Sequence, residues 1–524
     1  MRMIDQALAQ HRRGNIKEAE SLYRQILKRD GRDFDALHML GIICAQRGQF
    51  DEAERLLRTA LSIDKTVPPC CHNYGNVLCK LKRYDDGIAV FNRAIALAPG
   101  YVPIYSDRGN AQMELRRFRD AVASYDQALA LDPRYVPAHY NRANALEKLD
   151  RYDEALASYD RALALEPRYA DALCNRGVVL RNMRRFDEAL ASFDKALAIR
   201  PDFAEAHFAE SDLRLLTGDF ARGFPEYEWR WKMETFSSPA RNFMQPLWLG
   251  APPLLDGKTI LLHGEQGFGD TIQFCRYAPL LAAGGAQIIL EVDKSLVELM
   301  RGVSGVAQII AKGEPLPNFQ VHCPLGSLPF ALATRLATIP ADVPYLAVPQ
   351  LHREKWRAKL GPADARRIAV SWAGNANFKN DYNRSIGLHA MSPLFADSDV
   401  QFFSIQKDLR AGDAELLRRH PKLIQLGKEI ESFSDTAAIV SLMDAVISSD
   451  TSVVHLAGAL AAPIWTLLAY APDWRWLLGR DDCPWYPTMR LFRQTKPGDW
   501  ASVIAAAAKA LATVVPRRAE QAAT

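Results

Sequence analysis

The first half of the chain repeats itself every 34 residues, and this period constrains the fold more than any other feature. One column of the repeat holds small residues, at Ala19, Ala53, Gly87, Ala121, Ala155, Ala189 and Gly223. A second column, four positions later, holds aromatic or leucine side chains, at Tyr23, Leu57, Phe91, Tyr125, Tyr159, Phe193 and Tyr227. Units of this length bury their apolar side chains only against their neighbours. We therefore expect a stacked array of short helix pairs.

Two further columns complete the repeat, with glycines at Gly41, Gly75 and Gly109 and closing prolines at Pro99, Pro133, Pro167 and Pro201. Proline ends a helix because it lacks the backbone N–H that the next turn requires. The whole pattern resembles the tetratricopeptide repeat. This resemblance implies an all-α superhelix of about seven repeats over residues 1–235, with a concave face that binds a protein or peptide partner.

Asparagine recurs on the predicted concave face in two columns, Asn73, Asp107, Asn141 and Asn175, and Asn76, Asn110 and Asn144. An asparagine amide donates to and accepts from a peptide backbone at once. The columns resemble the asparagine ladder of O-GlcNAc transferases, which implies that they grip a polypeptide. Asparagine also bonds readily within its own helix, so a purely structural role stays open.

The second half of the chain has a different texture. After a connector at 236–257 that is rich in Pro and Gly, short apolar runs alternate with helical patterns. The runs at 259–263, 286–292, 366–374, 400–406, 444–450 and 463–470 are typical of buried parallel strands. Such alternation predicts a doubly wound, Rossmann-like α/β architecture. We expect a first lobe at 258–345, a second lobe at 346–498, a closing helix at 499–515 and a tail at 516–524.

Composition excludes several classes of protein. The 65 basic and 61 acidic residues give a net charge of +4 without a basic block, so no footprint for nucleic acid is present. The eight cysteines show no paired CxxC spacing, and the first residues show no signal core. No apolar run approaches the ~20 residues of a membrane span. We expect a cytoplasmic protein without an integral membrane segment, for which peripheral membrane contact stays open.

The loop after the first predicted strand, HGEQGFGD, contains Gly264, Gly267 and Gly269 and ends at Asp270. Its spacing is neither the dinucleotide fingerprint nor a Walker P-loop, which disfavours both kinds of cofactor. Glycines there let backbone amides approach a ligand closely. Asp270 stands at a predicted helix start, where an aspartate either caps the helix or faces the cleft as a base.

The second lobe carries a related signal, because the strand at 444–450 ends in Asp450-Thr451-Ser452, with His455 one turn into the next helix. This segment resembles ADP-heptose:lipopolysaccharide heptosyltransferases, in which a strand ends in Asp-Thr/Ser-Gly followed by histidine. The resemblance implies a GT-B fold in which these residues bind a nucleotide-sugar donor and Asp270 is the catalytic base. Ser452 stands where that family has glycine, which puts close backbone approach to the donor in doubt.

Further donor-binding candidates lie at the ends of the neighbouring strands. The segment VSWAGNANFKNDYNRSI, 370–386, matches the position of the family's nucleotide-binding loop but lacks its Lys-Arg-Trp-Pro ending. From it and from the next strand end we select Gly374, Asn375, Lys379, Arg384, Gln406 and Lys407. Lys379 and Arg384 would neutralise a pyrophosphate, although solvated loop charges explain them equally well. We expect no metal.

Together these features predict a metal-independent, inverting glycosyltransferase that uses a nucleotide-sugar as co-substrate and needs no other cofactor. The repeats would recruit the acceptor, with a protein as the first candidate. One alternative is a non-catalytic interaction scaffold that carries a degenerate glycosyltransferase fold. Another is an enzyme that acts on lipid-linked glycan at a membrane. Trp474 is a further, weaker candidate for stacking on the nucleobase.

Overall fold

The structure is a computed structural model that describes residues 2–236, 238–250, 255–363, 365–376, 380–396 and 399–514. It divides into two compact units, Met1–Pro201 and Asp202–Thr524. The helical repeat pattern continues past this division, through Tyr227 and a 3₁₀ turn at Glu228–Lys232. The last helix pair of the array that we predicted for residues 1–235 therefore belongs to the second unit. Among the described residues, no helix is both long enough and apolar enough to cross a lipid bilayer.

The first unit consists of antiparallel helix pairs, as the repeat predicts. Each second helix of a pair ends two residues before the position of the closing proline column. The helices are α1 (Met3–Arg12), α2 (Ile16–Arg29), α3 (Phe34–Gln46), α4 (Phe50–Ile63), α5 (Pro68–Lys80), α6 (Tyr84–Leu97), α7 (Val102–Glu114), α8 (Phe118–Leu131), α9 (Val136–Glu147), α10 (Tyr152–Leu165), α11 (Ala170–Asn182) and α12 (Phe186–Ile199).

The glycine and aromatic columns belong to one contact within each pair. A Cβ atom at Gly75 would lie 2.4 Å from Cε1 of Phe91, and one at Gly109 would lie 2.5 Å from Cε1 of Tyr125. Both rings are fully buried. In these two pairs an added methyl group would overlap the ring, whereas the equivalent position of the next pair holds Ala143.

A column of arginines joins neighbouring helix pairs. Each arginine donates to an Asn or Asp on the helix before it and to a serine on the helix after it, at 2.6–3.0 Å. The sets are Arg108 with Asn92 and Ser124, Arg142 with Asp126 and Ser158, and Arg176 with Asp160 and Ser192. The arginine stem fills the groove between pairs, and Asp126 and Asp160 meet the charges of Arg142 and Arg176, whereas Arg108 donates to neutral groups.

The second unit opens with one helix pair and continues into a parallel sheet of four strands in the order β3-β2-β1-β4. Its elements are α13 (Ala204–Leu216), α14 (Phe220–Tyr227), β1 (Thr259–His263), α15 (Phe268–Phe274), α16 (Ala278–Ala283), β2 (Gln287–Val292), α17 (Val297–Met300), β3 (Val306–Ala311), β4 (Val321–Pro324) and α18 (Leu328–Ala331).

A second sheet of seven strands follows, in the order β10-β11-β9-β8-β5-β6-β7, with β10 antiparallel to β11 and the other pairs parallel. Its elements are α19 (Gln350–Leu360), β5 (Arg366–Ser371), α20 (Asp381–Arg384), α21 (Leu388–Met391), β6 (Val400–Ser404), α22 (Asp413–Arg419), β7 (Ile424–Gln425), α23 (Phe433–Ser441), β8 (Ala445–Ser449), α24 (Ser452–Ala459), β9 (Ile464–Leu468), β10 (Asp482–Cys483), β11 (Tyr486–Arg493) and α25 (Trp500–Ala510).

The strand orders fix where a ligand can bind. In both sheets the chain builds outward from one strand and then returns to its other side, so the order reverses between β1 and β4 and between β5 and β8. The loops that leave the carboxyl ends of such strands diverge and open a crevice. The predicted site residues after β1, β5 and β8 therefore lie at these two reversal points.

Candidate functional site

Asp450 follows β8 at the reversal point of the larger sheet. Its Oδ2 accepts a hydrogen bond from Nε1 of Trp476 at 2.8 Å. Burial, together with the nearby carboxylate of Asp473, raises the pKa of Asp450 to about 6. The next residue, Thr451, caps α24 through a 3.3 Å hydrogen bond from the backbone N–H of Val453 to its hydroxyl. A perturbed carboxylate beside a helix start is a common feature of binding and catalytic sites.

The loop after β5 brings Gly374 against Arg384. A Cβ atom at Gly374 would lie 2.6 Å from Nη2 of Arg384, so a side chain there would displace the guanidinium from its present position. The backbone N–H of Gly374 donates to Oγ of Ser385 at 3.2 Å, and its carbonyl accepts from Arg410 at 2.7 Å. Asn375 is exposed. Lys379, the other predicted pyrophosphate contact, lies outside the described residues.

Gln406 stabilises this loop through hydrogen bonds at both ends of its side-chain amide. Its Oε1 accepts from Oγ of Ser371 and from the N–H groups of Trp372 and Ala373, at 3.0–3.1 Å. Its Nε2 donates to the carbonyls of Ala373 and Asp408. Because these bonds occupy both ends of the amide, Gln406 shapes the loop from within, unlike the ligand contact that we predicted. Its neighbour Lys407 is exposed.

Asp270 is the third residue of α15, the helix that follows β1 of the four-stranded sheet. Its Oδ2 accepts the backbone N–H of Gly267 at 2.9 Å, so Asp270 caps the helix from the third position and Gly267, not Asp270, is the N-cap residue. Its Oδ1 accepts from Nη2 of Arg475 at 2.6 Å. The Asp270 side chain is 22% exposed and that of Arg475 is 8% exposed. The carboxylate is therefore oriented from both sides and still reaches solvent.

Gly269 brings the two sheets' helices into direct contact. A Cβ atom there would lie 2.8 Å from Cδ2 of His455 and 3.6 Å from Cα of Ser452. His455 is buried, stacks on Trp476 at 5.3 Å, and its Nδ1 lies 3.0 Å from the hydroxyl of Tyr486. Burial holds the pKa of His455 well below its usual range. The imidazole is thus neutral and carries no charge for a phosphate.

Several residues that hold this region together have no signal in the sequence motifs. Oε1 of Gln273 accepts from Nε of Arg475 at 2.6 Å, and Gln273 Nε2 is buried with no hydrogen-bond partner among the described residues. Arg276 donates to the carbonyl of Trp485 at 2.6 Å and to the hydroxyl of Tyr345 at 2.8 Å. These contacts join α15 and its extension to the loops of the larger sheet.

The segment after the last helix pair inserts a buried arginine into the smaller sheet. Arg230 is fully buried and pairs with both carboxylate oxygens of Glu265 at 3.0 Å. The same guanidinium donates to Glu228 and to Oγ of Ser327 at 2.7 Å. Glu265 follows β1 and Ser327 follows β4, so Arg230 bridges the reversal point of this sheet.

Trp474 does not face a ligand. It is 3% exposed, and its ring lies against Phe220, Phe224 and Tyr227 of the last helix pair at 5.7–6.3 Å. Trp485 completes the cluster, 6.0 Å from Trp474. The prediction that Trp474 stacks on a nucleobase therefore fails, because aromatic side chains from α14 cover the ring.

The asparagine columns of the first unit bond chiefly to each other and to tyrosines. Oδ1 of Asn144 accepts from the hydroxyl of Tyr159 at 2.5 Å and from Nδ2 of Asn175 at 3.0 Å. Oδ1 of Asn110 accepts from Tyr125 at 2.8 Å and from Asn141 at 3.0 Å. Nearer the N-terminus, Asn73 lies 3.0 Å from an imidazole nitrogen of His38, and Asn76 lies 3.3 Å from one of His72. Each amide thus has an internal bond, and the exposed Asn110 also faces solvent.

In the described part of the chain, no group of three His, Cys, Asp or Glu side chains is arranged to hold a metal ion. All eight cysteines are free thiols.

Comparison with known proteins bears on the first unit above all. Tetratricopeptide-repeat family models match residues 10–70, 68–101, 106–172 and 170–203. Protein FlbA of Caulobacter vibrioides is 25% identical over 337 residues, which are 58% of this chain and 54% of FlbA. The chain thus spans about half the length of this curated relative.

Solved structures with helical repeats are also similar. YrrB, described as a TPR protein with an unusual peptide-binding site, shares 21% identity with a TM-score of 0.31, over 35% of this chain and 95% of YrrB. PilF of Pseudomonas aeruginosa shares 22% identity with a TM-score of 0.35, over 39% of this chain and 93% of PilF. MamA of Desulfovibrio magneticus shares 20% identity with a TM-score of 0.30, over 35% of this chain and 96% of MamA. The predicted tetratricopeptide repeats are confirmed, and a region of parallel sheets and helices follows them.

Proposed function

We propose that the second unit is a metal-independent glycosyltransferase with a GT-B arrangement, and that the repeats recruit its acceptor. One observation carries the proposal. At the reversal point between β5 and β8, the perturbed carboxylate of Asp450 lies with the hydroxyl of Thr451 and the cation of Arg384, and Asp270 of the other sheet is tied to this edge by Arg475.

The larger sheet offers the groups that a nucleotide-sugar donor requires. Its diphosphate needs cations and N–H donors, which Arg384 and the first turn of α24 supply. Sugar hydroxyls need acceptors, and the carboxylate of Asp450 is one. Gly374 leaves space for the guanidinium of Arg384, whose Nε lies 3.6 Å from Oδ1 of Asp381. Arg384 would therefore meet the charge that develops on the leaving diphosphate.

Asp270 is the proposed base. It would take the proton of the acceptor hydroxyl as the acceptor oxygen attacks the anomeric carbon and the bond to the diphosphate breaks. A carboxylate accepts about four hydrogen bonds, and Gly267 and Arg475 use two of these positions. The remaining lone pairs can meet a hydroxyl. In this role Arg475 orients the base, as the partner of a catalytic side chain does in other enzymes.

The first unit would bring the acceptor. Tetratricopeptide arrays are protein-interaction scaffolds, and the exposed edge of the asparagine columns offers amides at the spacing of the repeat. A polypeptide acceptor captured there would reach the second unit at a raised effective concentration.

The test begins with donor binding. Purified protein is screened by thermal shift against UDP-, ADP-, GDP- and TDP-sugars without added metal, because a ligand that binds only the native state raises its stability. The nucleotide-sugar that raises the melting temperature of the protein is then used to assay hydrolysis and transfer. We expect Asp270→Asn to lose at least ~100-fold of the rate and to keep the thermal shift. Asp481→Asn, at an exposed position, is the matched control. Full activity of Asp270→Asn would remove the proposed base.

A second candidate function is supported by the contact at Gly269. The starts of α15 and α24 pack directly on one another there, and both oxygens of Asp270 already hold internal bonds. A domain that binds a nucleotide-sugar without turnover would tolerate this closed arrangement. This non-catalytic scaffold would be favoured if a nucleotide-sugar gave a clear thermal shift but no hydrolysis or transfer occurred in any acceptor mixture. The thermal shift of Asp270→Asn would then equal that of the parent.

A further inference from the structure

The arginine column of the first unit begins at Arg108, and in the groove just before it the pattern is inverted. Counting back 34 residues from Arg108, Ser124 and Asn92 gives Tyr74, Val90 and Arg58. Tyr74 is on α5, and Arg58 and Val90 are on the flanking helices α4 and α6. The arginine that fills the later grooves is thus absent here. A cation stands where Asp126 and Asp160 supply a carboxylate further along the array.

The consequence is a cavity of about 250 Å³ between α4, α5 and α6. Tyr74 does not replace the arginine, because its hydroxyl turns to Oε1 of Glu54 at 3.1 Å. The later grooves contain an arginine stem and a serine hydroxyl at the corresponding place, whereas this one is open. Its walls are largely apolar, formed by Leu61, Cys71, Tyr74 and Val90.

Three cations border the cavity: Arg58, Lys65 and Arg93. All three are exposed, and Lys65 occupies the position that the closing prolines hold in later repeats. Nη2 of Arg93 donates to the carbonyl of Lys65 at 2.9 Å, which holds the guanidinium at the rim. Two acids are near: the buried Glu54, 3.7 Å from Arg58, and Asp64, whose charge acts on the thiol of the wall residue Cys71. The three cations exceed these two charges, so the rim is positive.

We propose that this groove binds a small carboxylate with an apolar body. The carboxylate would supply from outside the negative charge that Asp126 and Asp160 supply within the later grooves. The apolar body would occupy the space of the arginine stem. A volume of about 250 Å³ equals roughly eight waters, which suits one leucine-sized residue or a short aliphatic acid. This site is independent of the glycosyltransferase proposal.

Two kinds of ligand carry a carboxylate on an apolar body: the C-terminal residue of a polypeptide and a free aliphatic acid. Saturation-transfer NMR on the full chain would use N-acetyl-leucine for the first and hexanoate for the second, with N-acetylleucinamide as the uncharged match of the first. We expect a carboxylate to bind at millimolar concentration and the amide to bind about tenfold more weakly. Stronger binding of N-acetyl-leucine assigns the site to a polypeptide end, and stronger binding of hexanoate assigns it to a free acid.

Two variants test the groove itself. The triple change Arg58→Asp, Tyr74→Arg and Val90→Ser installs the set that the later grooves use, and we expect it to keep the fold and weaken binding at least about tenfold. Arg93→Gln, which installs the residue found at Gln127, is milder and should weaken binding several-fold. Its control is Arg161→Gln, the exposed residue at the equivalent position two repeats later. Equal binding of the amide and the acid, unchanged binding in Arg93→Gln and in the folded triple variant, or no binding of either acid would overturn the proposal.

Discussion

Nη2 of Arg475 lies 2.6 Å from Oδ1 of Asp270, across 205 residues of sequence and from one sheet of the second unit to the other. The same guanidinium reaches Gln273 at 2.6 Å and Asp473 at 3.0 Å. A buried cation therefore joins the two carboxyl edges at the place where the proposed base stands. Its removal would leave two carboxylates without their partner.

We expect Arg475→Met to lower the free energy of unfolding of the second unit by about 1–3 kcal/mol, because Oε1 of the buried Gln273 loses its donor while the carboxylate of Asp270 still reaches solvent. All ten tryptophans lie in the second unit, so their fluorescence during denaturant unfolding reports on this unit alone. In combination with Asp270→Asn the loss should be smaller than the sum of the two single losses. Arg353→Met on the exposed face of α19 is the control. Additive losses would show that the pair contributes no coupling.

The fold can be predicted from the sequence where a buried strand forms an unbroken apolar run; β4 is buried throughout, but it is only four residues long and contains His322, and the sequence does not predict it. β5 and β8 lie within the predicted apolar runs, because almost every residue in them is buried. The sequence does not predict β11 and β3, for the opposite reason. Buried and exposed residues alternate along β11, which contains Pro487 and Arg490, and the first half of β3 is exposed. Neither strand has the unbroken apolar run that marks the others.

The site can be predicted only in part. Asp450, Thr451 and Arg384 follow strands, and their position in the sequence is enough to select them. Arg475 and Arg230 carry no such mark, since their partners stand 205 and 35 residues away and no local pattern indicates a buried ion pair. The prediction for Trp474 is wrong for a related reason, because the rings that cover it come from α14, more than 200 residues earlier.

The contact at Gly269 predicts that the free energy of unfolding depends steeply on the size of the side chain at this position. Gly269→Ala would place a methyl group 2.8 Å from His455, and relief of such overpacking typically costs about 1–3 kcal/mol. Gly267→Ala is a matched control two residues away, since its methyl group would meet nothing closer than Oδ2 of Asp270 at 3.4 Å. Fluorescence-detected unfolding should separate the two variants. Equal stability of both would show that α15 and α24 do not pack as closely as the structure indicates.

Some asparagines of the two columns support the helices, and others are available to bind a polypeptide. Asn144→Ala would remove the acceptor of the buried Tyr159 hydroxyl, and an unsatisfied buried group costs about 1–3 kcal/mol. Asn141→Ala removes one donor to Asn110 and orphans no buried group, so a loss below about 0.5 kcal/mol is expected. Hydrogen exchange of α9 and α10, followed by mass spectrometry, measures both. A polypeptide partner that loses affinity for Asn141→Ala would then report on binding, since the helices remain stable in that variant.

Asp450 predicts how the stability of the second unit changes with pH. In the unfolded chain an aspartate titrates near ~3.9, whereas in the folded protein burial and Asp473 raise the pKa of Asp450 to about 6. Between these values the folded state holds a proton that the unfolded state has released, so the free energy of unfolding falls as pH rises from about 4 to about 6. For this single group the fall is at most about 3 kcal/mol.

The variant Asp450→Asn tests this pH dependence, because the new amide cannot titrate but its carbonyl can still accept from Trp476. Its stability profile should be flatter over this range, and its stability at neutral pH should exceed that of the parent. Asp481→Asn, at an exposed site, should leave the parent profile unchanged. If Asp450→Asn instead lowered stability at neutral pH, the ionised carboxylate would be stabilising the fold, and the cations of Arg384 and Arg475 would outweigh its burial.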